Sequence, residues 1–448
     1  MTTAERSTSP RPRRSGLALG SAVLLTVAVV CSLGGAASAA PVGEFTTFHL
    51  GNGGNGGNAL ASGSDGNMWF TNTANNSIGR ITPAGSVTYF KVPTKSSTTL
   101  GSGLLGITAG PDGNMWFTGF FANIVGKVTP EGKVTTYPLP ISEAYPLGIA
   151  AGPDGNVWFA LDGANGIGRI SPSGRITLYS IDGARVTSSR NCVMCGYEIT
   201  AGPLDSLWFT MPAAGMVGRI TTKGEVSTLP VPTETEPATN TTPVLGAITA
   251  GSDGNLWITQ DADGKITRMT PQGTTTDFPL TPDNSIPASI TPGPGASLWV
   301  AAFSGNALTR VDISGGDSPP TITQFPIPAP DSDPAAVALG ADGSMWFANL
   351  VLPRTQPGSV KLQVGRVGTG FGALVKAKVT GTAKAGSTLT CSYSTKQAGV
   401  IANVDYQWLR AGKPIHRQNA RTFKVASADK GAAISCRAAV TYESALYQ

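Results

Sequence analysis

Residues 109–140 read AGPDGNMWFTGFFANIVGKVTPEGKVTTYPLP, and residues 151–180 repeat the phrase as AGPDGNVWFALDGANGIGRISPSGRITLYS. Each copy holds four short runs of β-branched and aromatic residues separated by Gly, Pro, Asp and Asn, which is typical of strands joined by tight turns. An acidic residue followed by Gly favours the positive φ that a hairpin turn needs. We therefore predict that each copy is a four-stranded antiparallel meander. The strands predicted for the first copy are 106–110, 115–118, 124–129 and 134–139.

A tryptophan marks the same place in seven copies of the phrase, at spacings of 47, 42, 50, 49, 42 and 47 residues. A single meander cannot bury a core, so repeats of this length have to pack against one another. The spacings are typical of four-stranded propeller blades. With 13% charged residues, 57 Gly and 33 Pro, the composition favours turns over helices. The sequence predicts an all-β protein with a seven-bladed β-propeller at residues 40–372. The marking residues are Trp69, Trp116, Trp158, Trp208, Trp257, Trp299 and Trp346.

The seventh copy ends at Val367 without a fourth strand. Residues 44–48, EFTTF, resemble residues 133–137, KVTTY, which form the predicted fourth strand of the first quoted copy. We therefore expect the mature N-terminus to supply the outer strand of the last blade. Such a strand closes the ring by backbone hydrogen bonds and removes an exposed sheet edge.

The first 39 residues differ in composition from the rest of the chain. Several arginines precede an apolar run, and the small residues at 37–39 provide a cleavage site. We predict that residues 1–39 are a cleaved export signal and that the mature protein is secreted, free or associated with the cell wall. Arg13-Arg14 leaves twin-arginine export open, and a lipid anchor at Cys31 is the less favoured interpretation because no small residue precedes it. No later apolar run is long enough to span a bilayer.

The C-terminal segment, residues 373–448, has a cysteine pattern of its own. Cys391 and Cys436 bracket Trp408, and this order within strand-like runs is typical of an immunoglobulin-like β-sandwich. The segment resembles the short bacterial immunoglobulin-like modules, although Ile434 stands where antibody domains have a tyrosine. Exported cysteines usually pair, so we predict a Cys391–Cys436 disulfide.

Cys192 and Cys195 form a C-x-x-C motif in the long connection between the third and fourth copies. In a cytosolic protein this spacing would indicate redox catalysis or half of a zinc site. No second such motif exists, and the mature chain has only His49 and His416. A local disulfide is therefore the favoured interpretation, and no metal site is predicted.

The two parts of the mature chain differ in charge. Residues 373–448 hold eleven Lys or Arg and three acidic residues, a formal charge of +8, whereas residues 40–372 hold seventeen and twenty-three, a charge of −6. A basic module can hold a protein near anionic cell-wall polymer by non-specific attraction. An ordinary solvated surface explains the charge equally well. No nucleic-acid reader motif is present, so a nucleic-acid partner is not expected.

The phrase GPDGNMWFT at residues 110–118 and the phrase IGRITPAG at residues 78–85 resemble the repeat of the streptogramin B lyases, also called virginiamycin B lyases. The resemblance covers all seven copies, roughly residues 42–368. It implies a seven-bladed propeller and an enzyme that opens a cyclic depsipeptide antibiotic at its ester bond by elimination. It also implies Mg²⁺, glutamate ligands that follow the W-F-T motif, and a histidine base from a P-H-G-I motif.

The positions that match these motifs carry neither residue type. The places after W-F-T are Asn72, Gly119, Leu161, Met211, Gln260, Ala302 and Asn349. The places of the motif histidine are Leu105, Leu147, Leu245, Ala288 and Ala335 where the copies align well, and neither remaining copy has a histidine there. No catalytic residue or cofactor is therefore predicted, and Mg²⁺ applies only if a rearranged lyase site exists.

Other residues can form a site near the channel mouth. Glu198 is the candidate acid, because it precedes a first strand where channel-facing groups arise. Asn72, Tyr145, Gln260 and Asn349 are candidate ligand-binding residues, although a satisfied loop or turn is the favoured interpretation for any single one of them. The aspartates of the repeated turns are explained by Asx-turn chemistry.

Three functions remain open from the sequence. The first, which we favour, is an exported propeller that binds a peptide, glycan or small molecule at its mouth, walled by the loops 92–104, 181–198 and 230–245. The second is a Mg²⁺-dependent carbon–oxygen lyase with a rearranged site. The third is a wall-associated structural protein. The propeller fold hosts unrelated functions and does not choose among them.

Overall fold

A computed structural model describes most of residues 42–442. The predicted export signal, His49, His416, Cys192 and Cys195 lie outside the described residues, as do most of the three long loops. The described residues are 42–48, 50, 59–93, 102–181, 198–231, 245–261, 264–280, 286–328, 332–351, 361–369, 374–382, 384–394, 401–410, 413–415, 420–429 and 433–442.

The described part of residues 42–369 forms seven four-stranded antiparallel sheets, which confirms the predicted β-propeller. The quoted copy forms strands within two residues of those predicted. The strands are β1 Phe45–Phe48, β2 Leu60–Ser62, β3 Met68–Asn72, β4 Ser77–Ile81, β5 Val87–Lys91, β6 Leu104–Ala109, β7 Met115–Gly119, β8 Ile124–Val128, β9 Val134–Pro138, β10 Pro146–Ala151, β11 Val157–Leu161, β12 Gly166–Ile170, β13 Ile176–Ser180, β14 Ile199–Gly202, β15 Ser206–Met211, β16 Met216–Thr221, β17 Val226–Pro230, β18 Leu245–Ala250, β19 Leu256–Gln260, β20 Lys265–Met269, β21 Thr275–Pro279, β22 Pro287–Pro292, β23 Ser297–Ala302, β24 Ala307–Asp312, β25 Thr321–Pro326, β26 Ser332–Leu339, β27 Met345–Val351 and β28 Lys361–Val367.

Six blades take their four strands in chain order, beginning with β2–β5 as blade 1. The seventh blade has the order β1-β28-β27-β26, so the N-terminal strand is its outer strand. Phe45 pairs with Val367 and Phe48 with Val364 in an antiparallel ladder. The predicted closure by residues 44–48 is thus confirmed.

The first strand of each blade lines a central channel. These inner strands contact one another in sequence from β2 to β26, and β26 contacts β2. The ring is therefore continuous. Each inner strand begins at one end of the channel, which we call the mouth, and ends at the opposite end, which we call the base.

A repeated joint near the base connects blades 1, 2, 3, 5 and 7 to the blade that follows each of them. In blade 2, the indole of Trp116 is fully buried and donates a hydrogen bond to Asp112 Oδ1 (2.9 Å). Lys127 lies over the indole ring, pairs with Asp112 (3.2 Å) and donates to the carbonyl of Pro172 in blade 3 (2.8 Å). The cation thus links two blades while its charge is neutralised. Equivalent links between blades are Arg80 to Pro130, Arg169 to Thr222, Arg268 to Gly316 and Arg366 to Pro83.

The turn aspartates do more than the predicted Asx-turn. Asp112 accepts hydrogen bonds from the backbone and the side chain of Asn114, as an Asx-turn requires. It also anchors the tryptophan and the cation of its blade. The aspartates that accept an indole N–H are Asp65, Asp112, Asp154, Asp253 and Asp342.

A second repeated contact fixes the middle of each blade. Phe159 on β11 pairs with Gly168 on β12, and a Cβ atom at Gly168 would lie well inside van der Waals contact of the buried phenylalanine ring. Five blades combine Phe with Gly in this way. In blade 5 the same pair is Ile258 with Thr267, and in blade 6 it is Val300 with Thr309. The smaller residue of one strand therefore compensates for the larger residue of its neighbour.

The described C-terminal residues form six strands in the order β32-β31-β34-β29-β30-β33. The predicted disulfide joins Cys391 on β30 to Cys436 on β34, and the buried Trp408 stacks on Phe423 at 5.3 Å between ring centroids. The immunoglobulin-like assignment stays a prediction. The strands are β29 Leu374–Thr380, β30 Thr388–Ser394, β31 Ile401–Arg410, β32 Lys413–Pro414, β33 Thr422–Lys424 and β34 Ile434–Tyr442.

Helical structure within the described residues is confined to short 3₁₀ turns. None of it has the length and apolar character needed to cross a bilayer. The turns are Pro212–Ala214, Phe303–Gly305 and Ser427–Asp429.

Candidate functional site

The central channel encloses a cavity of about 140 Å³. This volume accommodates several water molecules or a small group of a ligand, but not a whole macrocycle. Its walls come mainly from the mouth ends of the inner strands. The lining residues are Ala59, Leu60, Gly106, Ile107, Ile149, Glu198, Ala247, Ile248, Ala288, Ser289, Ile290, Ala335, Ala336 and Val337.

A larger hollow of about 240 Å³ lies at the base of blade 3, between residues that include Arg169 and Arg175. Arg169 pairs there with Asp154 (3.6 Å) and bonds to the next blade. The hollow is therefore part of the joint between blades, and we place the candidate site in the channel instead.

A threonine on the second strand marks equivalent positions in the inner strands. Thr118 Oγ1 accepts a hydrogen bond from the Gly106 amide (2.9 Å), and Thr259 Oγ1 accepts one from the Ala247 amide (2.8 Å). Thr210 makes the same bond with the Glu198 amide (3.3 Å). These positions form a ring around the channel, which we call the channel ring. The hydrogen bonds to threonine identify four members, which are Ala59, Gly106, Glu198 and Ala247. Strand register and sequence identify the other three, which are Gly148, Ser289 and Ala336.

Glu198 is the charged member of the channel ring. Its carboxylate forms no hydrogen bond or ion pair among the described residues. The side chain is exposed to the open space of the channel, yet protein surrounds it on all sides. The channel walls around it take the place of part of the bulk solvent. This burial raises the pKa of Glu198 to about 7.

A second acid, Asp261, lies at the mouth end of blade 5, next to the blade that carries Glu198. It follows Gln260 directly, one position after the matched motif place. Its carboxylate lies beside Gly246, where a Cβ atom would come within 2.5 Å of Oδ1. Burial raises the pKa of Asp261 to about 7, although a hydrogen bond from Thr259 opposes the shift. The sequence signal was the W-I-T-Q-D stretch, whose acid stands one place later than the resemblance implies.

The strand register corrects one assignment in blade 5. Leu245 pairs with Gln260 as Leu104 pairs with Gly119, and a register shift follows in both blades. Gly246 is therefore the counterpart of Leu105, and the sequence assignment of Leu245 to the histidine place was wrong by one residue. The corrected position also lacks a histidine.

Three of the candidate ligand-binding residues, Asn72, Gln260 and Asn349, have 0% exposed surface. Gln260 donates hydrogen bonds to Thr267 and to Asp277 within its own blade. Asn349 donates to Ser332 (2.9 Å). A ligand at the mouth cannot touch side chains without accessible surface, so the described geometry does not bring these residues to the channel.

Tyr145, the remaining candidate, lies in the connection that leads into β10. Its ring is half-buried and stacks on Phe120 with 4.8 Å between ring centroids. It belongs to the mouth end of the propeller, on the blade next to the one that carries Glu198.

The magnesium site that the resemblance implies needs several carboxylate ligands close together. Within the described residues, no three His, Cys, Asp or Glu side chains lie close enough to hold a metal ion. Glu198 and Asp261 come from neighbouring blades, and two carboxylates without a further donor among the described residues fall short of the set of oxygen ligands that a hard cation takes. The residues do not fit such a site, and we derive no metal-dependent step.

The raised pKa of Glu198 predicts a pH dependence of stability. The folded protein keeps this carboxyl protonated up to about pH 7, whereas the unfolded chain releases the proton near the ordinary value of 4.5. The stabilisation is complete below the unfolded pKa and is lost as the pH rises through the folded pKa. Glu198→Gln should therefore flatten the fall of the urea midpoint between pH 5 and pH 8.

The matched control is Glu143→Gln, because Glu143 is an exposed acid at the same end of the propeller. Its pH profile should follow that of the unmodified protein. Superimposable pH profiles for Glu198→Gln and the unmodified protein would contradict the raised pKa of Glu198.

A family model and solved structures agree with the resemblance seen in the repeat. A sequence model described as the Virginiamycin B lyase family matches residues 14–236 and 186–431. A streptogramin B lyase structure is 28% identical, with a TM-score of 0.59 over 72% of this chain and 97% of that chain. A catalytically inactive histidine-to-alanine variant of virginiamycin B lyase from Staphylococcus aureus with quinupristin is also 28% identical, with a TM-score of 0.61 over 72% of this chain and 99% of that chain.

More distant structures share the fold alone. One is the extracellular domain of a proposed hybrid two-component system from B. thetaiotaomicron, which is 13% identical with a TM-score of 0.52 over 90% of this chain and 56% of that chain. A search of the curated proteins found no match to this chain.

Proposed function

Because the chain belongs to the virginiamycin B lyase family but lacks the residues that the resemblance implies for the reaction, we propose that it is an exported propeller that binds a ligand at the channel mouth. The ligand classes that fit a propeller mouth are a peptide, a glycan or a small molecule. A signal-like N-terminus and the disulfide at Cys391 support export, because disulfides persist in oxidising compartments.

The observation that carries the proposal is the carboxylate of Glu198. It stands in a ring of small residues and has no partner among the described residues. A carboxyl that loses part of its bulk solvent and gains no partner disfavours folding, and such groups with perturbed pKa values cluster at functional sites. A ligand that supplies a cation or a hydrogen-bond donor would satisfy this group.

Binding is tested with the mature protein and three probe classes: cationic tripeptides, neutral tetrasaccharides and a streptogramin B antibiotic. Ligand-observed NMR should detect binding of at least one class, and Glu198→Gln should weaken the binding of a cationic probe about tenfold, as expected for one charge-assisted hydrogen bond. Affinity for a cationic probe should rise between pH 6 and pH 8, because Glu198 ionises in this range. Absence of binding by all three classes would refute the proposal.

The alternative is a lyase with a rearranged site. It is favoured by one observation: Glu198 and Asp261 have pKa values of about 7, near the value that suits a base at neutral pH. Against it, histidine replacement inactivates the S. aureus protein, and the matched positions here carry none.

The lyase alternative is tested by incubating the mature protein with a streptogramin B antibiotic and Mg²⁺ and following ring opening by mass. We expect no turnover. Turnover that Glu198→Gln or Asp261→Asn abolishes would establish the lyase and displace the binding proposal.

A second function, attachment to anionic cell-wall polymer, is favoured by one face of the C-terminal segment. On this face of β29, β30 and β33 the exposed side chains include Lys378, Thr380 and Lys424, whereas Leu389 and Phe423 on the opposite face are buried. Among the described side chains of this segment, the acid Asp429 is buried against Arg410. The exposed face therefore has an uncompensated positive charge, which suits an anionic polymer.

The attachment is tested by co-sedimentation of the mature protein with cell walls. Binding should fall steeply between 50 and 200 mM salt, as ionic contacts do, and the double variant Lys378→Gln/Lys424→Gln should bind several-fold less. The charge-matched control is Lys133→Gln/Lys223→Gln on the propeller. Equal losses in both double variants would show that net charge, and not this face, attracts the wall.

A further inference from the structure

A cluster of apolar side chains lies at the mouth end of blades 2 and 3, and we call it the aromatic ledge. It consists of Phe120, Phe121, Ile141 and Tyr145. The two phenylalanines lie between β7 and β8, and the other two residues lie between β9 and β10. In a four-stranded meander these two connections are at the same end, which is the end where the inner strands begin. The ledge therefore lies at the same end of the propeller as Glu198.

The ledge exposes apolar surface that folding does not use. Phe121 is 39% exposed and Ile141 is 38% exposed. Phe120 stacks on Tyr145 at 4.8 Å and meets Phe121 edge to face at 5.0 Å. Exposed apolar side chains beside a stacked aromatic pair are a candidate interaction site.

The phenylalanines are held by the chain beneath them. The Phe120 amide donates to the carbonyl of Gly103 (2.9 Å), and the Phe121 amide donates to the carbonyl of Ser102 (3.1 Å). Gly103 has a φ of +61°, and a Cβ atom there would lie 2.6 Å from the Phe121 ring. The glycine therefore allows the ring to lie directly on the backbone, so the ring is in place before a ligand arrives.

The other half of the ledge is formed by a strained loop. Glu143 and Tyr145 are not glycines, yet their φ values are +52° and +47°. This conformation is strained for a residue that has a side chain. Asn123 holds the loop through the Ala144 amide (2.9 Å) and the Ile141 carbonyl (2.6 Å). Strain of this kind persists where surrounding contacts over-determine the backbone, and it clusters at binding sites.

The described rim of the ledge is polar. Ser142 and Glu143 are exposed beside the rings, and the stretches GFFAN at 119–123 and LPISEAY at 139–145 contain no Lys or Arg. The C–H groups on one face of a pyranose pack against an aromatic ring, which carries partial negative charge on its face. The hydroxyls of the sugar can donate hydrogen bonds to a neighbouring carboxylate.

From this arrangement we propose that the aromatic ledge is a pyranose-binding subsite, so that the ligand of the mouth is a glycan. The proposal rests on the proposed ligand-binding function and names its substrate class. Phe121 supplies the stacking surface, Phe120 and Tyr145 support it from behind, and Glu143 and Ser142 contact the sugar hydroxyls.

The test uses the mature protein and three neutral tetrasaccharides as probes: cellotetraose, chitotetraose and maltotetraose. Saturation-transfer NMR should detect binding of at least one of them. Isothermal titration should then show a loss of affinity of about tenfold for Phe121→Ala, as expected for one aromatic contact. Phe121→Leu should show a similar loss, because it keeps the apolar volume without the ring. Phe121→Tyr should retain the affinity.

The matched controls are Ile286→Ala and Leu204→Ala, which remove exposed apolar side chains elsewhere on the propeller. They should leave the affinity for the saccharide within about twofold. Thermal melts verify that all variants are folded, and Phe121→Leu serves if Phe121→Ala is not.

Three results would overturn the ledge proposal: no saccharide binds, all variants bind equally, or the controls lose as much affinity as Phe121→Leu. If cationic peptides then still bind in a manner that depends on Glu198, the proposed function stands without the ledge. Saccharide binding that depends on Phe121 but not on Glu198 would support the ledge and remove Glu198 from ligand contact.

Discussion

Replacement of Gly168 by Ala is expected to destabilise the propeller by about 3 kcal/mol, at the upper end of typical overpacking costs. In most strands Gly→Ala is favourable, because alanine loses less backbone entropy on folding. Here the added Cβ would overlap with the ring of Phe159, which is fully buried and cannot move aside. The free energy of unfolding from urea denaturation measures the effect.

The chain itself supplies a rescue. Blade 5 has Ile258 opposite Thr267, a smaller apolar residue opposite a larger one. Phe159→Ile alone should cost about 1–2 kcal/mol through the cavity that it leaves. The double variant Gly168→Ala/Phe159→Ile should lose about 2 kcal/mol less free energy of unfolding than the sum of the two single losses, since the residues are in contact.

A control for the glycine change is Gly315→Ala, where the new Cβ would lie 3.3 Å from the nearest atom. Its effect should stay within about 0.5 kcal/mol, as for ordinary surface substitutions. Additive behaviour of the double variant would show that the Phe and Gly positions do not compensate for one another.

Replacement of Phe48 by Ala is expected to open the ring at its closure. Phe48 stacks on Trp346 with 5.2 Å between centroids, lies under Arg366 and covers Gly85 of blade 1. The loss should be about 3 kcal/mol, typical of a large aromatic truncation. Because β1 belongs to the seventh blade only through hydrogen bonds and packing, amide hydrogen exchange at 361–367 should rise sharply.

The matched control is Phe90→Ala. Phe90 stacks on Trp69 at 5.4 Å and covers a glycine of blade 2, which is the same arrangement. Its strand is continuous with the rest of blade 1, so we expect a similar loss of stability without increased exchange at 361–367. Equal exchange in both variants would contradict a special role of the closure.

The sequence was sufficient for the fold because its signals are local and repeated. The tryptophan period defines the blades, the Asp-Gly steps define the turns, and the likeness of 44–48 to 133–137 identifies the closing strand. The pairing of Phe with Gly was also readable, since the two copies that lack the phenylalanine also lack the glycine.

The site was less readable, because it depends on where side chains point at strand ends. Glu198 was found from its position before an inner strand. Gln260 and Asn349 lie one strand away from the channel, and only the packing of the blades shows that they are buried. Asp261 was missed because it stands one place after the position that the family motif assigns to an acid, although the W-I-T-Q-D stretch carries it.

The closing strand also has a consequence for the order of folding. Arg366 bonds to Pro83 across 283 residues of chain, and β1 has to wait for β28 before it finds its neighbour. Contacts between such distant parts of a chain form slowly. During synthesis, β1 emerges before the other strands of the propeller and stays unpaired until β28 follows. The exposed edge of the unfinished blade is then the point at which a nascent molecule is most vulnerable to aggregation and proteolysis.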